Sequence, residues 1–414
     1  MADDLGYGEL SSYGSSKVKT PNLDKLAANG VKFLDFHSNG SVCSPTRAAL
    51  MTGKYQQRTG VEGVITAADH REVGLNLNEI TLAEELKKQG YTTAMYGKWH
   101  LGYSEAYGPT HQGFDDFRGF VSGNIDYQSH IDQAGYLDWW NNTKIEDEKG
   151  YTTDLITKYG LQFIKENNSN KTGKPFFLYL SQEAPHYPIQ GRNDKALRKE
   201  GSGKFIRKVP KDSVPVIYKR MIETMDEGIG EIMKTVATEG LNENTIIVFC
   251  SDNGPAGGRG DSGGLRGSKV SIYEGGHRVP AIISYPNQIK AGSVSNQTVM
   301  SMDFLPTFVD FANGVPSETI DGVSIKNHLL NNENLEKRDL FWSFKGQSAV
   351  RSGDFKLMEI AKENEIVYEL YNLKNNISES NNLVSSNQTK LEELKQRLTN
   401  WKSEVRKGVV SISK

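Results

Sequence analysis

Over the first ~315 residues, short apolar runs alternate with amphipathic stretches, the pattern of a layered α/β protein. Thr20-Pro21 opens a helix through Leu23, Leu26 and Ala27; Gly30 stops it, and Val31 to Phe36 reads as a strand. Thr81 caps a second helix carrying Leu82 and Leu86, Gly90 ends it, and Tyr91 to Tyr96 is the next strand. A helix around Leu155 to Ile164 precedes the apolar strand Phe176 to Leu180. Another around Val216 to Val236 precedes Thr245 to Cys250, whose Ile-Ile-Val-Phe core predicts a strand buried on both faces. Val279 to Ser284 reads as a strand and Met302 to Phe311 as a helix.

After about residue 335 the texture changes. Leu340 to Phe344, Ala349 to Arg351, Phe355 to Ile360 and Ile366 to Tyr371 predict short antiparallel strands, and Leu391 to Val405 a terminal amphipathic helix. Two regions follow: an α/β domain over 1–335 and a smaller C-terminal α+β subdomain over 336–414. No repeat of 20–50 residues is present, and the Asn-rich stretches at 167–170 and 375–387 read as exposed loops.

Composition narrows the class. The 414 residues are 36% hydrophobic and 24% charged, a globular balance, and 49 Lys+Arg against 51 Asp+Glu leave a formal charge of −2. That balance argues against a general nucleic-acid or membrane-surface binder, which carries a basic excess. No apolar run reaches the ~18–20 residues of a spanning helix. Two cysteines, Cys43 and Cys250, exclude a disulfide scaffold. The chain opens on Met1-Ala2-Asp3-Asp4, with neither a signal peptide nor an opening strand. That leaves two readings, a cytoplasmic protein or one whose natural beginning has been removed.

Polar residues gather where the apolar strands end. Tyr91–Tyr96 runs into Gly97-Lys98-Trp99-His100, Phe176–Leu180 into Glu183-Ala184-Pro185-His186, and Thr245–Cys250 into Ser251-Asp252-Asn253-Gly254. Ligands of open parallel sheets sit beyond the carboxyl ends of the strands, so these clusters are candidates for one cleft; ordinary polar loops are the alternative. In Ser41-Val42-Cys43-Ser44-Pro45-Thr46-Arg47, Ser44-Pro45 reads as N-cap and first helical residue, Ala48 to Met51 propagates the helix and Gly53 ends it. Cys43 then sits at a helix N-terminus, a place that favours anions, with Arg47 one turn on. The cysteine reads as a low-pKa thiolate nucleophile or as a buried small residue, and the residues alone leave both open.

Cys43-Ser44-Pro45-Thr46-Arg47 followed by Leu50-Met51-Thr52-Gly53 resembles the signature of the type I sulfatases of the alkaline phosphatase superfamily, with Thr46 where serine is commoner. Ala2-Asp3-Asp4-Leu5-Gly6-Tyr7-Gly8, Gly97-Lys98-Trp99-His100-Leu101-Gly102, Ser251-Asp252-Asn253-Gly254, and Leu265-Arg266-Gly267-Ser268-Lys269 with Glu274 to Pro280 resemble further motifs of that family, in its order. Glu369-Leu370-Tyr371-Asn372-Leu373 is similar to its C-terminal strand. The resemblance implies a large, mixed, mostly parallel sheet sandwiched by helices, with a smaller C-terminal antiparallel sheet plus helix.

It also implies a sulfuric ester hydrolase acting on a sulfated carbohydrate or aryl sulfate. Cys43 would be oxidised to Cα-formylglycine by a maturation enzyme, its hydrate being the nucleophile. Asp3, Asp4, Asp252 and Asn253, with the modified Cys43, would hold Ca²⁺, with Mg²⁺ as the alternative; hard oxygen donors suit either ion. Asp252 is the candidate base; Arg47, Lys98 and His100 would hold the hydrate, and His186 and Lys269 would contact the sulfate or protonate the departing alcohol. Arg278 braces its loop and Cys250 packs as a small hydrophobe. The aromatics between Tyr103 and Trp140 read as sugar-stacking or core residues. The basic run Lys195, Arg198, Lys199, Lys204, Arg207, Lys208, Lys211 reads as a glycan contact or a solvated loop. The rival activities are a phosphodiesterase or phosphonate hydrolase of the same superfamily and a non-catalytic glycan binder. For the bare start, the resemblance points to a longer, exported protein, periplasmic or extracellular, whose first strand precedes Asp3-Asp4.

Overall fold

Alternation along one central strand sets the layers. In Thr92–Lys98, Ala94 and Tyr96 pack with Leu155, Ile156, Tyr159 and Phe163, while Met95 points the other way into a cluster with Ala48, Met51 and Ala83. A strand whose two faces both meet apolar helices must be internal to a helix–sheet–helix sandwich. The computed structural model describes residues 1–413.

The strands of the larger part are β1 (Val31–Phe33), β2 (Phe36–His37), β3 (Thr92–Lys98), β4 (Asp116–Phe120), β5 (Trp140–Asn141), β6 (Lys144–Ile145), β7 (Phe176–Ser181), β8 (Ile247–Cys250), β9 (Ala281–Ser284), β10 (Ser293–Ser295) and β11 (Val299–Met300). They form a five-stranded sheet ordered β6-β5-β4-β3-β7 and a four-stranded one ordered β10-β1-β9-β8, with β2 and β11 paired separately. β3 runs parallel to β4 and β7, and β9 runs antiparallel to β1 and β8.

The chain's first residues join the two sheets. The Met1 ammonium donates to the Leu180 carbonyl at 2.8 Å and the Ala2 amide to that of Cys250 at 2.8 Å, so Met1-Ala2 lies between β7 and β8. Asp3 and Asp4 therefore have a mount after all: two residues of ladder hold them, and both carboxylates are buried. Helices Thr152–Glu166 and Val214–Thr238 cover one face. Helix Leu82–Lys88 starts at a Thr81–Glu84 capping box and packs on the other.

The segment Val31 to Phe36 is two strands rather than one, because β1 pairs with β9 and β10 whereas β2 turns away to pair with β11. Strand β8 begins at Ile247, two residues later than its apolar run. Beyond residue 335, β12 (Asp339–Phe344), β13 (Gln347–Ser352), β14 (Phe355–Ala361) and β15 (Ile366–Asn372) form an antiparallel meander covered by the helix Gln388–Glu404. Its core of Trp342, Leu357, Leu370, Leu394 and Leu398 also takes in Val42 and Ala49, so the meander is packed against the helix that carries Cys43.

Candidate active site

Four segment ends converge on Cys43. Helix Cys43–Thr52 starts with Val42 as its N-cap, which places Cys43 in the first turn, two residues earlier than the Ser44-Pro45 pattern predicts. Ser44, relieved of capping, ties the helix to a neighbouring loop, its hydroxyl accepting from the Ile65 amide at 3.1 Å. Asp3-Asp4 arrive from between β7 and β8, Lys98 from the end of β3, and Asp252-Asn253 from the end of β8.

The contacts form one buried network of alternating charge. The Cys43 thiol donates to Asp3 Oδ1 at 3.3 Å, and Lys98 Nζ reaches Asp3 Oδ2 at 2.6 Å. Lys269 Nζ lies 2.6 Å from Asp4 Oδ1 and 3.3 Å from Cys43 Sγ. Arg47 donates through Nε and Nη2 to Asp252 Oδ2 at 3.2 and 2.9 Å, and through Nη1 to the Lys98 carbonyl and Ser181 Oγ. Asn253 Nδ2 donates to Asp4 Oδ1 at 2.7 Å, and the Asp4 amide donates to Asp252 Oδ1 at 3.1 Å. His186 Nε2 stands 3.6 Å from Asp4 Oδ2, with its Nδ1 donating to the Tyr187 carbonyl. His100 donates from Nε2 to the Ile65 carbonyl at 2.9 Å.

The backbone is forced here. Asp4, His100 and Val270 have φ of 63°, 61° and 80°, a left-handed conformation that costs a non-glycine residue on the order of 1 kcal/mol or more. Gly97 at φ 110° brings β3 so close to β7 that a Cβ would stand 2.0 Å from the Ser181 carbonyl oxygen. That approach sets Lys98 and Ser181 around Arg47.

Electrostatics settle what the thiol can do. Burial pushes the Cys43 thiol far up, and the Asp252 and Asp3 carboxylates push it the same way, beyond what Lys269 and Lys98 restore. The unmodified side chain is therefore a protonated thiol, not the thiolate that a helix N-terminus suggests by itself. Burial, with Asp3 beside it, lifts Asp252 to about 6 against the pull of Arg47. Burial opposes the Asp4 carboxylate, but the Lys269 ammonium, with a hydrogen bond from Asn253, outweighs it and holds its pKa low. Burial likewise opposes the ammonium ions, yet Asp3 keeps Lys98 charged and Asp4 keeps Lys269 charged. Burial drives both histidines down, His186 to about 3 and His100 well below its usual range with help from Lys98 and Arg47, so both rings are neutral.

A cation would find its donors present. Single ligand atoms of Asp3, Asp4, Cys43 and His186 lie within 4.8 Å of one another, which adds His186 to the donors read from the sequence. Asn253 Oδ1 is buried without a hydrogen-bond partner, as an acceptor kept for an ion would be. A set of carboxylate and amide oxygens fits a hard divalent cation.

The structure thus brings Asp3, Asp4, Cys43, Arg47, Lys98, His100, His186, Asp252, Asn253 and Lys269 into one centre. Sequence reasoning missed Ser181 and the Ile65 carbonyl; a backbone acceptor leaves no mark in side-chain patterns. Outside the centre, Arg278 donates to the Leu34 carbonyl and pairs with Glu274, bracing its loop. In the basic run, Arg198 is buried and donates to the Ile131 carbonyl and Asn124, while Lys195, Lys199, Lys204, Arg207, Lys208 and Lys211 are exposed. Tyr127, His130 and Trp139 are core residues, the last two stacked at 4.6 Å.

Comparison with known proteins agrees with this geometry. The family model described as Sulfatase matches residues 1–315, and one described as N-sulphoglucosamine sulphohydrolase, C-terminal, matches residues 268–407. Arylsulfatase A of Homo sapiens is 34% identical over 386 residues, covering 86% of this chain and 73% of that protein. The crystal structure of Ps i-CgsB superposes with a TM-score of 0.87 at 30% identity, covering 99% of this chain and 93% of that one. A structure of BT4656 in complex with its substrate D-glucosamine-2-N,6-O-disulfate gives 0.76 at 26%, covering 99% and 97%. Among the described residues no helix is long and apolar enough to cross a membrane.

Proposed function

Because this chain belongs to the sulfatase family and is a sulfuric ester hydrolase, we propose that it removes sulfate from a sulfated carbohydrate, with Cys43 acting in its Cα-formylglycine form. The observation that carries this reading is the buried Cys43 thiol, which donates to Asp3 Oδ1 and lies 3.3 Å from Lys269 Nζ, in one network with Lys98, Arg47 and Asp252. Everything around it suits an oxyanion reaction, and the thiol as such cannot begin one. The relative seen with a disulfated glucosamine supports the sugar substrate.

In this reading Asp3, Asp4, Asp252 and Asn253 hold a divalent cation, Ca²⁺ with Mg²⁺ as the alternative. Such a cation would neutralise sulfate charge, and the hydrated aldehyde would offer a hydroxyl in place of the thiol. The remaining work belongs to the chain's own side chains. Arg47 fixes Asp252 through two nitrogens, and Asp252 is the candidate base for the attacking hydroxyl. Lys98 presents positive charge to the sulfate oxygens from a buried position, where such a charge acts most strongly. Lys269 hands a proton to the departing alcohol oxygen, and His186 orients the group beside Asp4. His100 keeps Nδ1 unpartnered and buried, free to take a proton from the second hydroxyl. A maturation enzyme oxidises Cys43, and sulfated polysaccharide outside the cytoplasm places the protein in the periplasm or extracellular space.

Mass spectrometry of the Cys43 peptide, from protein co-expressed with a maturation enzyme, should show the aldehyde. The same preparation should turn over 4-nitrophenyl sulfate in preference to an aryl phosphodiester. A reversed preference would make it a phosphodiesterase or phosphonate hydrolase. Modified protein that turns over neither would be a glycan binder.

A further inference from the structure

A cavity of about 850 Å³ lies between segment 15–19, the start of helix Val214–Thr238 and the loop 259–261. Five cationic side chains line it: Lys17, Lys19, Lys219, Arg220 and Arg259. Three acids line it as well, and each is engaged. Glu223 pairs with Lys219 at 3.5 Å and Arg220 at 2.9 Å, Asp261 pairs with Lys17 at 3.6 Å, and Glu9 accepts from the Gly6 amide at 2.6 Å and the Tyr218 hydroxyl at 2.9 Å. Lys19 and Arg259 form no ion pair among the described residues, and both are exposed. The cavity therefore carries two cations without counter-charges.

Arg259 also connects this cavity to the chemistry. Its guanidinium lies 5.7 Å from the centre of the Tyr187 ring, Tyr187 stacks on His186 at 4.8 Å and 27°, and His186 Nε2 is 3.6 Å from Asp4 Oδ2. The backbone agrees: the loop bearing Arg259 continues directly from Asp252-Asn253, and the Lys269 amide donates to the Pro255 carbonyl in it at 2.9 Å. Arg259 follows Gly257-Gly258, with Gly258 at φ 76°, so its loop can adjust to a bound group.

We propose that this cavity is a second anion subsite, in which Arg259, assisted by Lys19, holds a sulfate group on a sugar next to the one being desulfated. The inference rests on the reading of this chain as a sulfatase of sulfated carbohydrates and adds that its preferred substrate carries more than one sulfate. Arg259 is here a specificity-determining residue: it binds no atom that reacts, and its fork of donors suits the tetrahedral oxygens of a sulfate.

The test is competition of a dextran sulfate oligosaccharide against 4-nitrophenyl sulfate, which has no second anion. Arg259→Gln should leave 4-nitrophenyl sulfate turnover within about twofold and weaken inhibition by the oligosaccharide on the order of tenfold. Arg259→Lys should recover part of that loss, and Lys19→Gln should weaken inhibition less. Arg207→Gln removes the same charge from the exposed basic run and should change nothing, since screened surface charge at a distance contributes little. Unchanged inhibition in Arg259→Gln, or an equal loss in Arg207→Gln, overturns the subsite. If the modified wild type fails to turn over 4-nitrophenyl sulfate, the sulfatase reading fails instead. Calorimetric titration of the oligosaccharide into wild type and Arg259→Gln then reads the subsite separately, and equal affinities overturn it.

Discussion

Two buried clusters of histidine, carboxylate and basic side chains stand at the two ends of the segment Asp35–Cys43, and both meet the geometric condition for a metal site. One is the centre around Cys43. The other is His37, Glu274 and His277, with Asp35, Lys356 and Arg351 around them, at the seam between the α/β sheet and the C-terminal meander. In the second, the two Nδ1 atoms of His37 and His277 face each other at 2.9 Å, and His37 Nε2 meets Asp35 Oδ1 at 2.9 Å. Glu274 takes Lys356 on one oxygen at 2.9 Å and Arg278 on the other at 3.2 Å. Asp35 takes Arg351 on both oxygens, and Trp342 stacks on His277 at 4.3 Å. Both ring nitrogens of His37 and of His277, and both oxygens of Asp35 and of Glu274, have partners, and Glu379 Oε1 beside them has only its ion pair with Lys356, whereas the first cluster leaves His100 Nδ1 and Asn253 Oδ1 unmatched. Residue type and burial are the same in both. What separates a reaction centre from a structural lock is whether its lone pairs are already committed.

The sharpest way to break that comparison is Cys43→Ala. In the open cluster it should abolish 4-nitrophenyl sulfate turnover, by on the order of 10⁴-fold or more. Stability should change by only about 1 kcal/mol, since a single sulfur atom is removed from a helix turn. Activity near wild type would end the assignment of Cys43. Lys356→Met is the mirror experiment. It strips the lock of a fully buried lysine, leaving Glu379 without its ion-pair partner and Glu274 with Arg278 alone, which should cost about 3–5 kcal/mol in urea unfolding while kcat per folded molecule stays within a few fold. The double variant with Glu274→Gln should recover much of the loss. Lost turnover with unchanged stability would show that the two clusters act as one.

The smallest effect compares two buried glutamates. Burial opposes the charge of both, but Lys356 and its neighbours hold Glu274 well below its ordinary range, whereas Glu9, with only neutral donors, is pushed up to about 7. The folded state then retains a proton on Glu9 that the unfolded chain releases near its ordinary 4.5. The contribution of Glu9 to stability should therefore be fullest below about pH 4.5, fall as pH rises to about 7, and level off above it, by up to about 3 kcal/mol. Glu9→Gln should flatten that stretch of the stability–pH curve, measured by urea unfolding; a curve identical to wild type would mean that Glu9 is ionised in place.

Much of the first cluster could be read from the chain because its residues sit in short runs at strand and helix ends, where local pattern and placement coincide. Lys98 ends β3 and His100 follows it, Asp252 and Asn253 follow β8, and Cys43 opens a helix that Gly53 closes. The lock was not legible, since Lys356 and Arg351 come from the far end of the chain and no local pattern ties them to Glu274 or Asp35. Charge state escaped for a related reason. A helix N-terminus argues for an acidic thiol at Cys43, but burial reverses the argument, and the two carboxylates that add to it arrive from residues 3 and 252. The split of Val31–Phe36 into two strands has the same origin, because pairing partners and not apolar character decide where a strand ends. In the basic run, composition could not tell Arg198, buried and bonded to backbone, from the lysines around it.

The lock also bears on the exchange of parts between relatives. Asp35, His37, Glu274 and His277 belong to one part of the chain and Trp342, Arg351 and Lys356 to the other, and no single replacement leaves the rest balanced. Matched replacements on both sides of this seam should therefore cost less stability than either one alone. A chimera that grafts a relative's meander onto this α/β domain should fold only when both halves of the seam are transplanted together.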